Sequence, residues 1–153
     1  MKNLPLKHIL VVLALLLPTG HATALPKVSA SLGQGVVFDD GAHATGVQGE
    51  LVGSWSFMVV QADLGYIYQF NKGNASILTP GVRVNLLNFF ARAGLPLRLD
   101  DEMAWGLRLG AGYKIISLGV AAIFAEVDAM FWESVEFTKA VPIAGRVGVE
   151  FGF

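Results

Sequence analysis

Closely spaced acidic side chains are the first candidates for chemistry in this sequence. Glu126 and Asp128 are separated by a single residue, and Glu150 lies in the following strand-like segment. Two neighbouring carboxylates can act as a general acid and base, and carboxylate oxygens can bind a divalent cation. Arginines recur at the same parity as these acids, however, and a planar guanidinium can hold a carboxylate with two hydrogen bonds. We therefore favour ion pairs over a catalytic or metal site, and we expect no cofactor.

A second candidate is His43, the only histidine after residue 24. It follows Asp39 and Asp40, and Ser29 and Ser31 lie in the preceding segment, so a serine–histidine–acid site of a lipid-modifying enzyme has to be considered. The serines lie nearer the opposite end of their segment, and the sequence has no helix-turn nucleophile motif. An enzyme is therefore the least favoured alternative, and we interpret His43 as a loop residue.

The segments that must position these side chains alternate between apolar and polar residues. In the last of them, Val141–Phe153, apolar residues recur at every second position with Gly145 as the only break, while Arg146, Gly148 and Glu150 fall on the other parity. A period of two is the pattern of a β-strand with two different faces. The pattern predicts eight strands long enough for a tilted barrel, at residues 27–38, 43–54, 56–70, 76–87, 89–99, 104–115, 118–131 and 140–153.

The polar faces of the predicted strands carry six cations and five anions. These are Glu50, Asp63, Arg83, Arg92, Arg98, Arg108, Lys114, Glu126, Asp128, Arg146 and Glu150, with glycines between them. Because unpaired buried charge is costly, we predict that these groups form a paired lumen charge network. The near balance of sign favours a closed polar plug over an ion-selective pore, which uses rings of one sign. A passive channel for small solutes is the alternative.

Aromatic residues on the apolar faces collect at the strand ends. One set is Phe38, Tyr68, Phe70, Trp105 and Phe131, and the other is Trp55, Phe89, Tyr113, Phe151 and Phe153. Two aromatic girdles are typical of the two bilayer interfaces of a transmembrane barrel. A soluble barrel with an apolar interior has the same period, but its aromatic residues would not sort to the strand ends. We therefore expect the apolar face to point outward.

The overall composition excludes several classes of protein. Mean hydropathy is +0.56, yet no stretch after residue 24 approaches 18 consecutive apolar residues, which excludes a spanning helix there. The formal net charge of −1 gives no basic surplus for nucleic acid. The absence of cysteine excludes a disulfide framework, a thiolate metal site and a cysteine nucleophile.

The first 24 residues read as a targeting segment rather than as part of the fold. They have a positive start, nine uninterrupted apolar residues at 9–17 and a small-x-small motif at 22–24. These are the parts of a secretory signal peptide. We predict a signal peptide over residues 1–24 and a single barrel domain over residues 25–153.

The alternating strands and the terminal Phe153 resemble the small eight-stranded outer-membrane β-barrels of Gram-negative bacteria, of the OmpX type and the OmpA membrane-domain type. The terminal aromatic residue resembles the tag that the outer-membrane assembly machinery reads. The resemblance implies an all-β, antiparallel, up-and-down transmembrane barrel. Its expected partners are the lipid bilayer, lipopolysaccharide, the assembly machinery and periplasmic chaperones, and it is expected to be monomeric. Such barrels serve envelope integrity, surface interaction or limited permeation, so the resemblance implies no enzyme.

The predicted connections alternate between long and short. The long ones are residues 39–42, 71–75, 100–103 and 132–139, and the short ones lie around Ser54-Trp55, Leu87-Asn88 and Ile116-Ser117. In outer-membrane barrels the tight turns are periplasmic and the loops are outside, so both termini are expected in the periplasm. The long connections are rich in acids, which could bind divalent cations that bridge lipopolysaccharide, although simple solvation is the favoured interpretation.

Overall fold

The architecture is given by a computed structural model, which describes residues 25–38, 41–70, 75–99, 103–133 and 141–153. Within these ranges the strands are β1 (Leu25–Phe38), β2 (Ala42–Phe57), β3 (Val60–Phe70), β4 (Ser76–Leu86), β5 (Phe89–Gly94), β6 (Leu97–Arg98), β7 (Ala104–Leu118), β8 (Ala121–Trp132) and β9 (Val141–Gly152). The predicted signal peptide and most of the acidic loop residues lie outside these ranges. Among the described residues, no helix is long and apolar enough to cross a membrane.

The strands form one closed antiparallel barrel with eight strand positions around its circumference. Apart from β5 and β6, strands that are consecutive in the chain pair with each other, and the pairing of β1 with β9 closes the ring. The segments β5 and β6 together occupy one of these positions, because both pair with β4 and with β7. Pro96 lies between β5 and β6 and interrupts the strand, because it has no N–H group to donate. Its carbonyl still accepts a hydrogen bond from the Gly106 N–H at 3.0 Å.

Two of the three predicted tight turns were placed wrongly. The chain reverses at Met58-Val59 and Gly119-Val120 rather than at Ser54-Trp55 and Ile116-Ser117. Leu87-Asn88 is a turn, as predicted. Two-residue hairpin turns need positive φ, and Met58 (56°), Leu87 (58°) and Gly119 (59°) supply it. Only Gly119 is a residue type that signals such a turn, so Met58 was read as part of a strand.

The register of the strands fixes their inclination. A row of directly opposed residues begins at Phe70 on β3, passes Val47, Gln34 and Gly145, and continues around the barrel to Val60. The row therefore returns to β3 ten residues from where it left. Such a stagger in an eight-stranded barrel requires strands tilted by about 40°. At about 3.3 Å per residue along a tilted strand, each step to the next strand along this row descends about 3 Å.

Candidate functional site

On every long strand, the face that carries the charged side chains points into the barrel. On β9, Arg146 and Glu150 are buried, whereas Val147 and Phe151, one residue further along, are exposed. The same alternation holds for Glu126 on β8, which is buried between exposed or half-buried apolar neighbours. The apolar residues therefore form the outer wall, and the ionic groups form the interior.

Arg108 is the centre of the lumen charge network. Its side chain is completely buried, and its two terminal nitrogens donate to both oxygens of Glu50 at 2.6 and 3.0 Å. The Nη2 group also lies 3.1 Å from Glu126 Oε1 and 3.1 Å from Asp128 Oδ2. One guanidinium from β7 thus joins carboxylates from β2 and β8 across the lumen, with the bidentate geometry that arginine favours.

Two further arginines extend the network toward β9 and β5. Arg146 pairs with Asp128 and donates to the Gln48 side-chain oxygen at 2.7 Å. Arg92 lies 2.9 Å from Glu50 and 3.2 Å from an oxygen of Asp63. The N–H groups of Arg92 are not aligned with these oxygens, so this contact is ionic rather than hydrogen-bonded.

The part of the network nearest the tight turns is built around Glu150. Arg83 donates to Asp63 at 3.1 Å and to Glu150 at 3.1 Å. Lys114 Nζ lies 2.8 Å from Glu150, and Lys27 Nζ lies 3.7 Å from it. Three cations therefore share one carboxylate beside a cavity of about 120 Å³ at this end of the barrel.

Apolar side chains lie in the lumen on both sides of the ionic groups. Toward the long connections, Ile67, Ile77 and Met130 form a buried cluster against Trp132. Toward the tight turns, the Phe90 and Phe124 rings pack edge to face with centroids 6.0 Å apart, and the Arg83 guanidinium lies 4.7 Å above the Phe90 ring. The ions at the centre of the lumen thus have apolar side chains on both sides, which makes each unpaired charge there more costly. Lys27, Lys114 and Glu150 instead border the cavity at the tight-turn end.

Inward glycines provide the space that these side chains occupy. A Cβ at Gly112 would overlap the Phe90 ring, and one at Gly148 would lie 2.6 Å from Phe124. A Cβ at Gly65 would lie 2.8 Å from a Glu50 oxygen. The interior is therefore filled by long side chains that pass over glycines of neighbouring strands.

Ten of the eleven residues predicted for the lumen network lie inside the barrel as one connected set of ionic contacts. The prediction that Arg98 lies in the lumen is wrong. Arg98 is on the inward-facing parity of its strand but is exposed, because β6 is a two-residue strand at the rim next to a long connection. Lys27 and Gln48 belong to the network and were missed. Both lie on inward parity, so strand alternation could have identified them.

The serine–histidine site considered from the sequence is not assembled. His43 is exposed on the part of β2 next to a long connection. Ser31 is buried in the lumen opposite Glu50, seven residues along β2 from His43, which is about 23 Å at the usual rise of a strand. Within the described ranges, no group of three histidine or acidic side chains has the geometry of a metal site.

The aromatic residues form two bands on the outer wall. From the register, Phe38, Tyr68, Phe70, Trp105 and Phe131 lie within a few residues of one height, and Trp55, Phe89, Tyr113, Phe151 and Phe153 lie at the other end. The bands are about 23 Å apart for strands tilted by about 40°. This separation is close to the apolar band of about 25 Å that transmembrane barrels present to lipid.

Comparison with known proteins supports the architecture. No family model and no curated protein matches the sequence. Among solved structures, the chain is similar to the Ail attachment invasion locus protein of Yersinia pestis, with a TM-score of 0.58 and 12% identity over 85% of this chain and 99% of that one. It is also similar to the N-terminal barrel domain of Pseudomonas aeruginosa OprF, with a TM-score of 0.58 and 15% identity over 82% and 97%.

Two further structures have the same architecture. Neisserial surface protein A matches with a TM-score of 0.55 and 12% identity, covering 84% of this chain and 97% of that one. A de novo designed transmembrane β-barrel matches with a TM-score of 0.56 and 15% identity, covering 85% and 96%. The predicted fold, a closed eight-stranded antiparallel transmembrane barrel of the OmpX and OmpA type, is thereby confirmed.

Proposed function

We propose that this protein is an integral outer-membrane barrel whose lumen is closed, and that it serves envelope integrity or surface interaction rather than transport. The observation that carries the proposal is the set of four buried arginines and five buried carboxylates that fill the lumen from its middle to the end with the tight turns. Lys27 and Lys114 add two cations beside Glu150. A nearly neutral, mutually paired set of this kind fills space and offers no row of like charges along which an ion could pass.

The proposed orientation places the long connections outside the cell and the tight turns in the periplasm, as in other outer-membrane barrels. Residues 1–24 would direct export and be removed, so both ends of the mature chain would be periplasmic.

The acidic character of the long connections bears on possible surface partners. A structure of the Yersinia pestis barrel contains the heparin analogue sucrose octasulfate. Here the long connections carry Asp39, Asp40, Asp100, Asp101, Glu102, Glu133 and Glu136 against Lys72 and Lys139, which disfavours a polyanionic partner of that kind.

The closed lumen is tested by conductance across a planar bilayer. We expect no steady open steps for the natural protein. The double variant E50A/R108A leaves the formal charge unchanged and removes the bidentate pair from the centre of the lumen, so we expect open steps from it. Its folding is checked by heat-modifiable mobility in detergent gels. Steady open steps from the natural protein would contradict the proposal and favour the channel for small solutes, and a silent, folded double variant would show that the network is not the barrier.

The enzyme alternative has its own test. Incubation of the folded protein with phospholipid or lipid A should leave the lipid unchanged. Turnover that disappears in His43→Ala would contradict the proposed function and restore the enzyme hypothesis.

We also propose that Phe153 is read by the assembly machinery. In the folded barrel the backbone N–H of Phe153 donates a hydrogen bond to the Pro26 carbonyl oxygen at 3.1 Å, while its side chain is exposed on the outer wall. Phe153→Ala should therefore lower the amount of folded protein in the outer membrane of cells and leave refolding into detergent nearly unchanged. Phe151→Ala is the matched control, because it removes an outward aromatic residue two positions earlier. Equal losses in cells for both variants would contradict a special role for Phe153.

A further inference from the structure

We propose that the cavity at the tight-turn end of the lumen is a binding site for a phosphate group. The cavity of about 120 Å³ lies between the ends of β1, β7, β8 and β9. It has the volume of about four water molecules in the liquid, which is enough for an oxyanion of the size of phosphate. Lys27, which lines it, is paired with Gly152, and the residues on either side of Gly152 in the sequence belong to the aromatic band at the tight turns.

Cations outnumber acids around this cavity. Three cations, Lys27, Lys114 and Arg83, pair with the same carboxylate. That carboxylate belongs to Glu150, the only acidic side chain among the described residues that line the cavity. Arg83 also contacts Asp63, but Asp63 is shared with a further arginine. Even with Asp63 counted entirely at this end, one positive charge is left over, and a bound anion would neutralise it.

The carboxylate does not use up the donors of the two lysines. Lys114 Nζ donates to Glu150 Oε1 at 2.8 Å, whereas Lys27 Nζ lies 3.7 Å from the same oxygen, which is too long for a hydrogen bond. Each ammonium group has three N–H donors, and lysine is a common ligand of phosphate groups. The side chains of Lys27 and Lys114 are 24% and 14% exposed, so an anion in the cavity can reach both.

A β-bulge in β7 turns a hydroxyl group toward the same cavity. The pairing of β7 with β8 shifts between Lys114 and Ile116, so Ile115 is the extra residue. Regular alternation from the inward Lys114 would place Ile116 inward and Ser117 outward. Because of the bulge, Ser117 instead lies opposite Ala122 and lines the cavity, while Ile116 is exposed. Bulges at barrel rims often re-aim a side chain, and here the bulge replaces an isoleucine by a hydrogen-bond donor.

The cavity is not filled by side chains of the protein itself. Deeper in the lumen, phenylalanine rings occupy the space beside Gly112 and Gly148. At Gly152, in contrast, the nearest atoms to an added Cβ lie 3.8 and 3.9 Å away. A plug that served only to fill the lumen would be packed as closely at this end as at the centre, so the open, positively charged space indicates a ligand.

Two sources of phosphate reach this depth. Free phosphate or a small phosphate ester enters from the water at this end, which is the periplasm in the proposed orientation. The phosphate of a phospholipid lies at the interface that the aromatic band marks, and the exposed Leu118 and Val120 flank Gly119 on the rim that such a lipid would cross. The same lysines and hydroxyl group would bind the phosphate in both cases, and the experiment separates the two sources.

Binding is measured by NMR on the isotope-labelled natural protein in dodecyl maltoside, a detergent without phosphate or net charge. Inorganic phosphate replaces chloride at constant ionic strength, and the backbone amide signals are followed. We expect saturable shifts at Gly119 and Gly152 with millimolar phosphate, because both residues line the cavity. We expect no shift at Gly106, which is opposite Trp132 near the long connections. Absence of shifts at the two cavity glycines would overturn the proposal.

Two matched pairs of variants locate the site, and heat-modifiable mobility confirms that each variant folds. Lys27→Gln should weaken phosphate binding about tenfold, because it removes one cationic donor. Arg98→Gln makes the same change of charge at the opposite rim and should leave binding unchanged. Ala122→Leu should abolish binding by filling the cavity, whereas Ala125→Leu, on the outer face of the same strand, should leave it intact. Equal weakening by the two glutamine variants, or full binding by a folded Ala122→Leu, would overturn the proposal.

A second titration distinguishes the source of the phosphate. Phosphatidylglycerol is added to the micelles in place of inorganic phosphate, and uncharged diacylglycerol is the control lipid. Shifts with phosphatidylglycerol that are lost in Lys27→Gln would identify a lipid headgroup, and shifts with inorganic phosphate alone would identify a free phosphate. Equal shifts with diacylglycerol would show that apolar contact moves these signals and would count against phosphate recognition. Conductance does not enter these measurements, so this proposal and the closed lumen fail separately.

Discussion

A row of opposed residues provides a measurement of how the barrel sits in the membrane. Val47, Val127 and Val84 lie on the row that joins Phe70 to Val60, and all three side chains point outward. They are one, four and seven strands from Phe70. Because the row descends by a nearly constant step at each strand, these valines sample three depths with the same residue type. Replacing each in turn by arginine gives a depth profile.

The expected profile has one maximum. Val127 is halfway along the row, about 12 Å below Phe70 and about 12 Å above Val60. An outward arginine at the bilayer midplane costs about 2–4 kcal/mol, and near an interface it costs about 0–1 kcal/mol. We therefore expect V127R to lower the free energy of unfolding by about 2–4 kcal/mol, and V47R and V84R to lower it by about 1 kcal/mol or less.

The assay is reversible urea unfolding in phospholipid vesicles, followed by tryptophan fluorescence and by gel mobility. The alanine variants V47A, V127A and V84A report the loss of the valine alone, so the difference between arginine and alanine isolates the charge. A flat profile would refute the inclination derived from the register. A neutral V127R would contradict the assignment of this wall to the hydrocarbon of the membrane.

Two further perturbations test the interior. Arg108→Met should lower the free energy of unfolding by about 3–5 kcal/mol because it leaves buried carboxylates without their central partner. Arg98→Met at the exposed rim should lower it by about 1 kcal/mol or less, because interactions of a solvent-exposed cation contribute little, and equal effects of the two changes in urea unfolding would contradict a buried network. Gly112→Ala should lower the free energy of unfolding by about 1–3 kcal/mol, because the added Cβ overlaps the Phe90 ring. Gly53→Ala is the control and should be nearly neutral, because no atom lies within 4 Å of its added Cβ. A neutral Gly112→Ala would contradict the close packing of the Phe90 ring.

The sequence predicted the faces of the strands well because alternation is a direct consequence of strand geometry. A residue such as Glu126 lies inward for the same reason that Val127 lies outward, and one register shift would have exchanged them. The ends of the strands were harder to predict. The turn at Met58 has no glycine, asparagine or proline to signal it, and its two residues are as apolar as the strand that precedes it.

The connections within the charge network could not be read from the sequence. Parity places Glu50 and Arg108 in the same lumen, but only the stagger of the closed barrel places them opposite each other with two hydrogen bonds. The exposure of Arg98 depends on the break at Pro96 and on the position of the rim. Alternation therefore identifies which side chains are inside, and the three-dimensional register decides which of them meet.

The distribution of charge among the strands makes closure of the barrel a single event. Arg83 and Arg92 are directly opposed on β4 and β5, so this hairpin brings two like charges together on one face. Their partners Glu50 and Asp63 lie on β2 and β3, a neighbouring hairpin whose inward charges are both negative. Neither hairpin is neutral inside until the other is in place. The ion pair between Glu50 and Arg108 adds a link between residues 58 positions apart. The network therefore stabilises the complete ring far more than any part of it, which ties the filled lumen to the cooperativity of folding.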